Sequence, residues 1–205
     1  MDSEMKVKIV FDRLKQYYSV GRYRNEPFKV LIATVLSQRT RDENTHLAVK
    51  NLFAVYKTPL ELSNANLEHL QSLIKPTGFY RVKASRIKEI SGIILEKYNG
   101  DVPDDVTKLL SLPGVGRKTA NCVLAYGFGK PAIPVDTHVH RISNRLGLVK
   151  TKSEYETEKV LEKTVPIEYW IELNELLVKF GQDTCQPVRP KCSQCNIKDL
   201  CEKFA

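Results

Sequence analysis

Apolar residues recur three and four apart along most of this 205-residue chain, and only short Pro- and Gly-containing breaks interrupt them. The pattern runs through FKVLIATVLSQ (28–38), THLAVKNLFAVY (45–56), NLEHLQSLI (66–74) and VKASRIKEISGIILEKY (82–98). It continues in DDVTKLLSL (104–112), KTANCVLAYGF (118–128), HRISNRLGL (140–148), EYETEKVLEKTV (154–165) and WIELNELLVKFGQDTC (170–185). Such spacing gives each helix an apolar stripe that another helix must cover. No run alternates as a half-buried strand would. The breaks KPTG, NGDVP, PGVG and KPAIP carry the residues that end helices. The expectation is an all-α protein of about ten helices joined by short loops.

The two prolines of KPAIP (130–134) mark a boundary. The N-terminal helix has nothing nearby in sequence to bury against, so it is expected to pack with the C-terminal part. That gives one helical domain over residues 22–131 and a discontinuous one from 1–21 plus 132–205. No apolar run approaches the ~18 residues of a membrane-spanning helix. The start, MDSEMKVKIVFDRLKQYY, is charged throughout and has no signal-peptide core. An intracellular, cytoplasmic protein is the expectation. The formal net charge of +8 suits a polyanionic partner, of which nucleic acid is the commonest.

Within LPGVGRKTAN (112–121), a tight turn is followed by Arg117 and Lys118 in the first turn of the next helix. Cations there oppose the positive end of the helix dipole, at about 0.3–1 kcal/mol each. An ordinary helical hairpin would favour Asp or Glu at those positions. A bound anion would offset the cost, and the dipole would loosen the hold of Lys118 on its proton, as a nucleophilic amine requires. Gly114 and Gly116 offer backbone conformations closed to other residues and let another chain approach. A DNA phosphate held on such a turn fixes position without reading sequence.

Of five cysteines, Cys122 stands on an apolar helix and reads as a core residue. The other four, Cys185, Cys192, Cys195 and Cys201, have six, two and five residues between them. Four thiolates this close can wrap a zinc ion, a 4Fe–4S cluster or two disulfides, and spacing does not separate zinc from iron. An odd cysteine total without a secretory signal argues against a disulfide framework. Between the first two, QPVRPK holds Arg189 and Lys191 on a short loop suited to the phosphate backbone.

LPGVGRKTAN followed by VDTHVHRISNRLGL (135–148) resembles the helix–hairpin–helix DNA glycosylases, in particular their endonuclease III branch. The resemblance runs from about residue 25 onward. It implies two helical lobes with the active site in the cleft, Lys118 as nucleophile and Asp136 as its essential partner. It also implies that the four cysteines hold a 4Fe–4S cluster. Attack at C1′ of deoxyribose, Schiff-base formation and β-elimination would remove a damaged, oxidised pyrimidine from double-stranded DNA and cut the strand 3′ to the abasic site. Asp136 also reads as a helix N-cap, and the two roles are compatible. His138 and His140, two apart, do not share a helical face and read as structural or phosphate-contacting residues.

A glycosylase must extrude its target nucleotide and fill the gap. In the family resembled, the stretch matching LSQRTRD (36–42) supplies a polar plug; registered through Asp42, that position is Arg39, with Gln38 just before it. TGFYRVKA (77–84) resembles the loop carrying an apolar wedge, which falls on Phe79, with Tyr80 behind it. Two other readings stand beside this one: a monofunctional mismatch glycosylase, and a non-catalytic DNA-binding redox sensor. Lys118 speaks against the first. The pairing of Lys118 with Asp136 speaks against the second, since binding alone requires neither. A monomer is expected.

Overall fold

The structure, a computed structural model, describes residues 3–21 and 25–202, and among these are eleven α-helices and no strand. In chain order they are α1 (Ser3–Lys15), α2 (Pro27–Ser37), α3 (Asp42–Val55), α4 (Pro59–Asn64), α5 (Leu67–Leu73) and α6 (Tyr80–Tyr98). There follow α7 (Val106–Leu110), α8 (Arg117–Cys122), α9 (Thr137–Arg145), α10 (Glu154–Thr164) and α11 (Trp170–Asp183). A π-helical turn, Val123–Gly127, continues α8. None of the described helices is long and apolar enough to cross a membrane.

Periodicity misses α4, which is too short to show a stripe. Its start is written instead in local chemistry. The Thr58 hydroxyl accepts the Glu61 N–H at 3.2 Å, and the Glu61 carboxylate accepts the Thr58 N–H at 3.0 Å. With Pro59 in the first turn, this is a capping box that leaves the chain little choice but to begin a helix.

Two compact units divide the chain. The unit Tyr23–Gly129 is built on α2, whose Phe28, Leu31, Ile32, Val35 and Leu36 are all buried. Against them α6 sets Ala84, Ile87, Ile90 and Ile94. Fully burying each such Leu or Ile is worth about 1.5–3 kcal/mol. α4 packs along α6, and the Lys88 ammonium donates to the Ala65 carbonyl at the end of α4.

The other unit joins Met1–Arg22 to Lys130–Ala205. Val7, Val10, Phe11 and Leu14 of α1 meet Val139 and Ile142 of α9 and Leu173, Leu176, Leu177 and Phe180 of α11. Polar contacts fasten α1 to the cysteine-bearing segment. Arg13 Nη1 donates to Asp199 Oδ1 at 2.6 Å and to the Asn196 carbonyl at 3.2 Å, and Asn196 Nδ2 donates back to the Arg13 carbonyl at 3.3 Å.

Candidate functional site

The hairpin turn lies between α7 and α8. Val115 N–H donates to the Leu112 carbonyl at 3.1 Å, and Gly114 takes φ +70°, a left-handed conformation that favours glycine. The Arg86 side chain lies across it, so that a Cβ at Gly114 would stand 2.3 Å from Arg86 Nε. Gly116 differs from the sequence expectation. At φ −94°, ψ 178° it is ordinary extended backbone that any residue adopts. A Cβ there would meet no protein atom within 4 Å. Gly116 therefore contributes clear space rather than an unusual conformation. Its carbonyl accepts Ala120 N–H at 2.9 Å, and α8 starts with Arg117 and half-buried Lys118 and has no acidic residue in its first turn. Cys122 is buried in the core.

Gln38 and Arg39, adjacent in sequence, part company in the structure. The half-buried Gln38 turns its amide to the hairpin, Nε2 donating to the Gly114 carbonyl at 3.0 Å. Arg39 is exposed, with left-handed backbone at φ 51°. Its guanidinium lies 5.9 Å from the centroid of the Phe79 ring. Phe79 is 63% exposed and also left-handed, φ 56°. Tyr80 packs against the core, with the Arg81 guanidinium 5.1 Å from its ring centroid.

Beneath this pair sits a residue that sequence reasoning missed. Lys83 is 3% exposed, and its ammonium donates to the Leu36 carbonyl at 2.7 Å, the Gln38 carbonyl at 2.6 Å and the Thr40 hydroxyl at 2.7 Å. Burial, with the Arg86 charge adding to it, draws its pKa down to about 8. At neutral pH it remains a cation. The available signal was its register: Lys83 stands four and seven residues before Ile87 and Ile90, on the buried stripe of α6.

In the other unit Asp136 is the N-cap of α9. Its Oδ1 accepts the N–H groups of His138 and Val139, both at 2.9 Å. Asn could supply the same cap, so the cap alone does not require a carboxylate. His138 Nδ1 lies 3.1 Å from Arg141 Nη2, and His140 Nδ1 lies 2.6 Å from the Thr157 hydroxyl. Both histidines thus take part in side-chain networks of their own unit. Lys118 and Asp136 belong to different units.

None of the five cysteines is in a disulfide. Cys185, Cys192, Cys195 and Cys201 line one shared cavity together with Arg145 and Ile197. Arg145 holds the first of them in place. Its Nη1 donates to Cys185 Sγ at 3.3 Å and to the Gln186 carbonyl at 2.8 Å, while Arg141 Nη2 donates to the Cys185 carbonyl at 3.0 Å. The cavity, the sulfur donors and the cation beside one of them fit an iron–sulfur group of net negative charge. Burial pushes the Cys195 thiol pKa up, and the neighbouring cysteines add to the rise. Arg189 is exposed and left-handed at φ 52°, and Lys191 makes an exposed ion pair with Asp183 at 3.3 Å.

Comparison with known proteins gives this geometry its context. Residues 32–166 match the model of the HhH-GPD superfamily base excision DNA repair proteins. The chain is 59% identical to endonuclease III of Thermotoga maritima over 179 residues, covering 87% of this chain and 84% of that one. It is 43% identical to endonuclease III of Bacillus subtilis over 180 residues, 87% and 82% of the two chains. A solved structure of a trapped endonuclease III–DNA covalent intermediate superposes with a TM-score of 0.88 at 37% identity, covering 99% of this chain and 97% of that one. The hairpin and the lysine that follows it lie within the residues matched by the superfamily model, and the chain belongs to the endonuclease III family of the HhH-GPD superfamily.

Proposed function

We propose that Lys118 and Asp136 carry the reaction of this enzyme, a DNA N-glycosylase and AP lyase that removes oxidised pyrimidines. The observation that supports the assignment is the position of Lys118, in the first turn of α8 directly after a turn whose Gly116 faces clear space. A phosphate of double-stranded DNA approaches that turn and fixes the register of the strand. The Lys118 amine attacks C1′ and forms an N–C bond as the glycosidic bond breaks. The base leaves with the electron pair, through a transition state with oxocarbenium character. The Asp136 carboxylate stabilises that positive charge and takes the proton that the attacking amine sheds, as carboxylates serve glycosidases. Ring opening gives an iminium at C1′, which acidifies the C2′ hydrogens. Loss of one of them breaks the C3′–O bond and expels the 3′ phosphate, and water then releases Lys118.

Arg39 is the plug left facing the orphaned base, and Phe79 is the wedge. The exposure of both supports this, as does the engagement of Gln38 with Gly114. Gln38 is then a brace between the plug loop and the hairpin. The four cysteines hold a 4Fe–4S cluster, whose part is to fold the loop that presents Arg189 and Lys191 to phosphates. That reading is supported by the shared cavity and by the endonuclease III relatives. No step of the lysine chemistry needs an electron carrier.

Borohydride trapping on a duplex with an oxidised pyrimidine tests the assignment. Wild type gives a covalent adduct, Lys118→Gln gives none, and both bind the duplex. Asp136→Asn keeps the cap of α9 and the melting temperature but loses turnover by about 100-fold or more. Undiminished trapping in Lys118→Gln overturns the reading.

A further inference from the structure

We propose that Lys83 is a positioning residue for duplex opening, joining the loop of Arg39 to the loop of Phe79 so that the two side chains enter DNA as one preassembled piece. The inference rests on reading Arg39 and Phe79 as plug and wedge.

The junction is fully paired. An ammonium has three donors, and those of Lys83 meet three acceptors, the carbonyls of Leu36 and Gln38 and the Thr40 hydroxyl. The Thr40 hydroxyl in turn donates to the Gln38 carbonyl at 3.2 Å and accepts the Gly78 N–H at 3.2 Å, which uses its one donor and both lone pairs. One hydroxyl and one ammonium thus connect the end of α2, the residue before Arg39, the residue after it and the residue before Phe79. The loops also touch directly. A Cβ on Gly78 would stand 2.8 Å from the Arg39 carbonyl oxygen, too close for any side chain.

Part of the reason for a lysine here is structural, since its ammonium pairs the Leu36 carbonyl in the last turn of α2. Its place on α6 belongs to the stripe of Ile87 and Ile90, where an apolar residue of like length would fill the space without desolvating a charge. What a lysine adds is direction, three fixed bonds from α6 to the loop of Arg39, whose Thr40 hydroxyl in turn accepts the Gly78 N–H. Arg39 and Phe79 both hold left-handed backbone, which L side chains adopt only when their surroundings enforce it. The Lys83 junction lies next to both and supplies that enforcement. Without it the loops relax independently, and the guanidinium and ring lose their shared placement.

The test compares one reaction with and without duplex opening. Wild type, Lys83→Met and Thr40→Val are assayed for β-elimination at an abasic site in a duplex and in the same strand alone. In parallel, 2-aminopurine opposite the site reports unstacking by its fluorescence. The expected result is a duplex rate reduced about tenfold or more and a fluorescence rise lost, with single-strand cleavage little changed. Equal losses on both substrates, or no loss on either, overturn the positioning role. Should Lys83→Met not fold, Thr40→Val, which removes the shared hydroxyl, decides the matter alone. Arg39→Ala and Phe79→Ala run beside them. If these leave the fluorescence rise intact, the plug-and-wedge reading fails and takes the inference with it. If they abolish the rise while Lys83→Met and Thr40→Val do not, only the positioning role fails.

Discussion

The Arg39 guanidinium rests over the Phe79 ring, 5.9 Å from its centroid, and both residues hold left-handed backbone. A cation on an aromatic face is worth about 0.5–1 kcal/mol when exposed. This contact therefore organises the pair more than it stabilises the fold.

The pair carries a prediction about the opposite base. Arg offers donors only, whereas a Gln plug would offer a donor and an acceptor. Guanine O6 can accept from Arg39, while the exocyclic amine of adenine cannot. Lesions opposite guanine are expected to be processed faster than the same lesions opposite adenine, by about 1–3 kcal/mol at most. Arg39→Gln should narrow the gap. Single-turnover rates on the two duplexes check this, and equal rates unchanged in the variant refute it.

The two hairpin glycines separate stability from binding. Gly114→Ala forces a side chain into a left-handed conformation and should cost about 1–2 kcal/mol of stability. Gly116→Ser keeps a good N-cap residue in ordinary backbone and should leave the melting temperature unchanged. Its side chain instead fills the clear space beside the turn, and if a phosphate approaches there as proposed, DNA affinity should drop. Thermal unfolding and duplex titration of both variants give the comparison. Full affinity in Gly116→Ser would show that no backbone comes close there.

Several of these features were open to reading from the chain, and the physical reason differs for each. Helices long enough for three turns announce themselves by period, as α6 and α11 do. The hairpin and the cysteine cluster are local in sequence, so spacing is enough to find them. α4 was lost to its shortness, though Thr58, Pro59 and Glu61 record it. The left-handed backbones of Arg39 and Phe79 have no local signature, because tertiary contacts rather than residue type enforce them. Lys83 was visible only as an anomaly, a cation on an apolar stripe whose partners come from a different helix. Which of the adjacent Gln38 and Arg39 side chains turns to Gly114 is a matter of three-dimensional placement.

The cysteine site predicts composition. The purified protein should be yellow-brown and contain iron and acid-labile sulfide in equal amounts, about four of each per chain. Cys192→Ser should loosen the loop that carries Arg189 and Lys191, and should weaken DNA binding more than the chemical step. Metal and sulfide analysis of anaerobically prepared protein decides between this cluster and zinc, and stoichiometric zinc would overturn it.

The capping box of α4 has its own pH dependence. The Glu61 carboxylate accepts the N–H groups of Lys57 at 2.6 Å and Thr58 at 3.0 Å, which lowers its pKa below the ordinary 4.5. The unfolded chain therefore takes up this proton at higher pH than the folded one. Its contribution is present in full above the ordinary value and is lost as the pH falls through the folded pKa. Wild type should melt above Glu61→Gln near neutrality, and the gap should close as the pH falls below the ordinary carboxylate range. A gap that is constant with pH would assign the difference to something other than this charge.

Arg13 bonds to Asn196 and Asp199, 183 and 186 positions along the chain, whereas the unit Tyr23–Gly129 is continuous. Translation runs in one direction, and this imposes an order on assembly. The middle unit leaves the ribosome whole and can fold as it emerges. Helix α1, synthesised before it, must keep Val7, Val10, Phe11 and Leu14 uncovered until α9 and α11 follow. At ordinary elongation rates that wait is on the order of ten seconds. The nascent protein thus passes through a stage in which its hairpin is formed and its four C-terminal cysteines are still unmade, with an amphipathic helix exposed to chaperones. If the four C-terminal cysteines take up a cluster as proposed, its loading is in this way placed last by the path of the chain, after Lys118 is already folded into its hairpin.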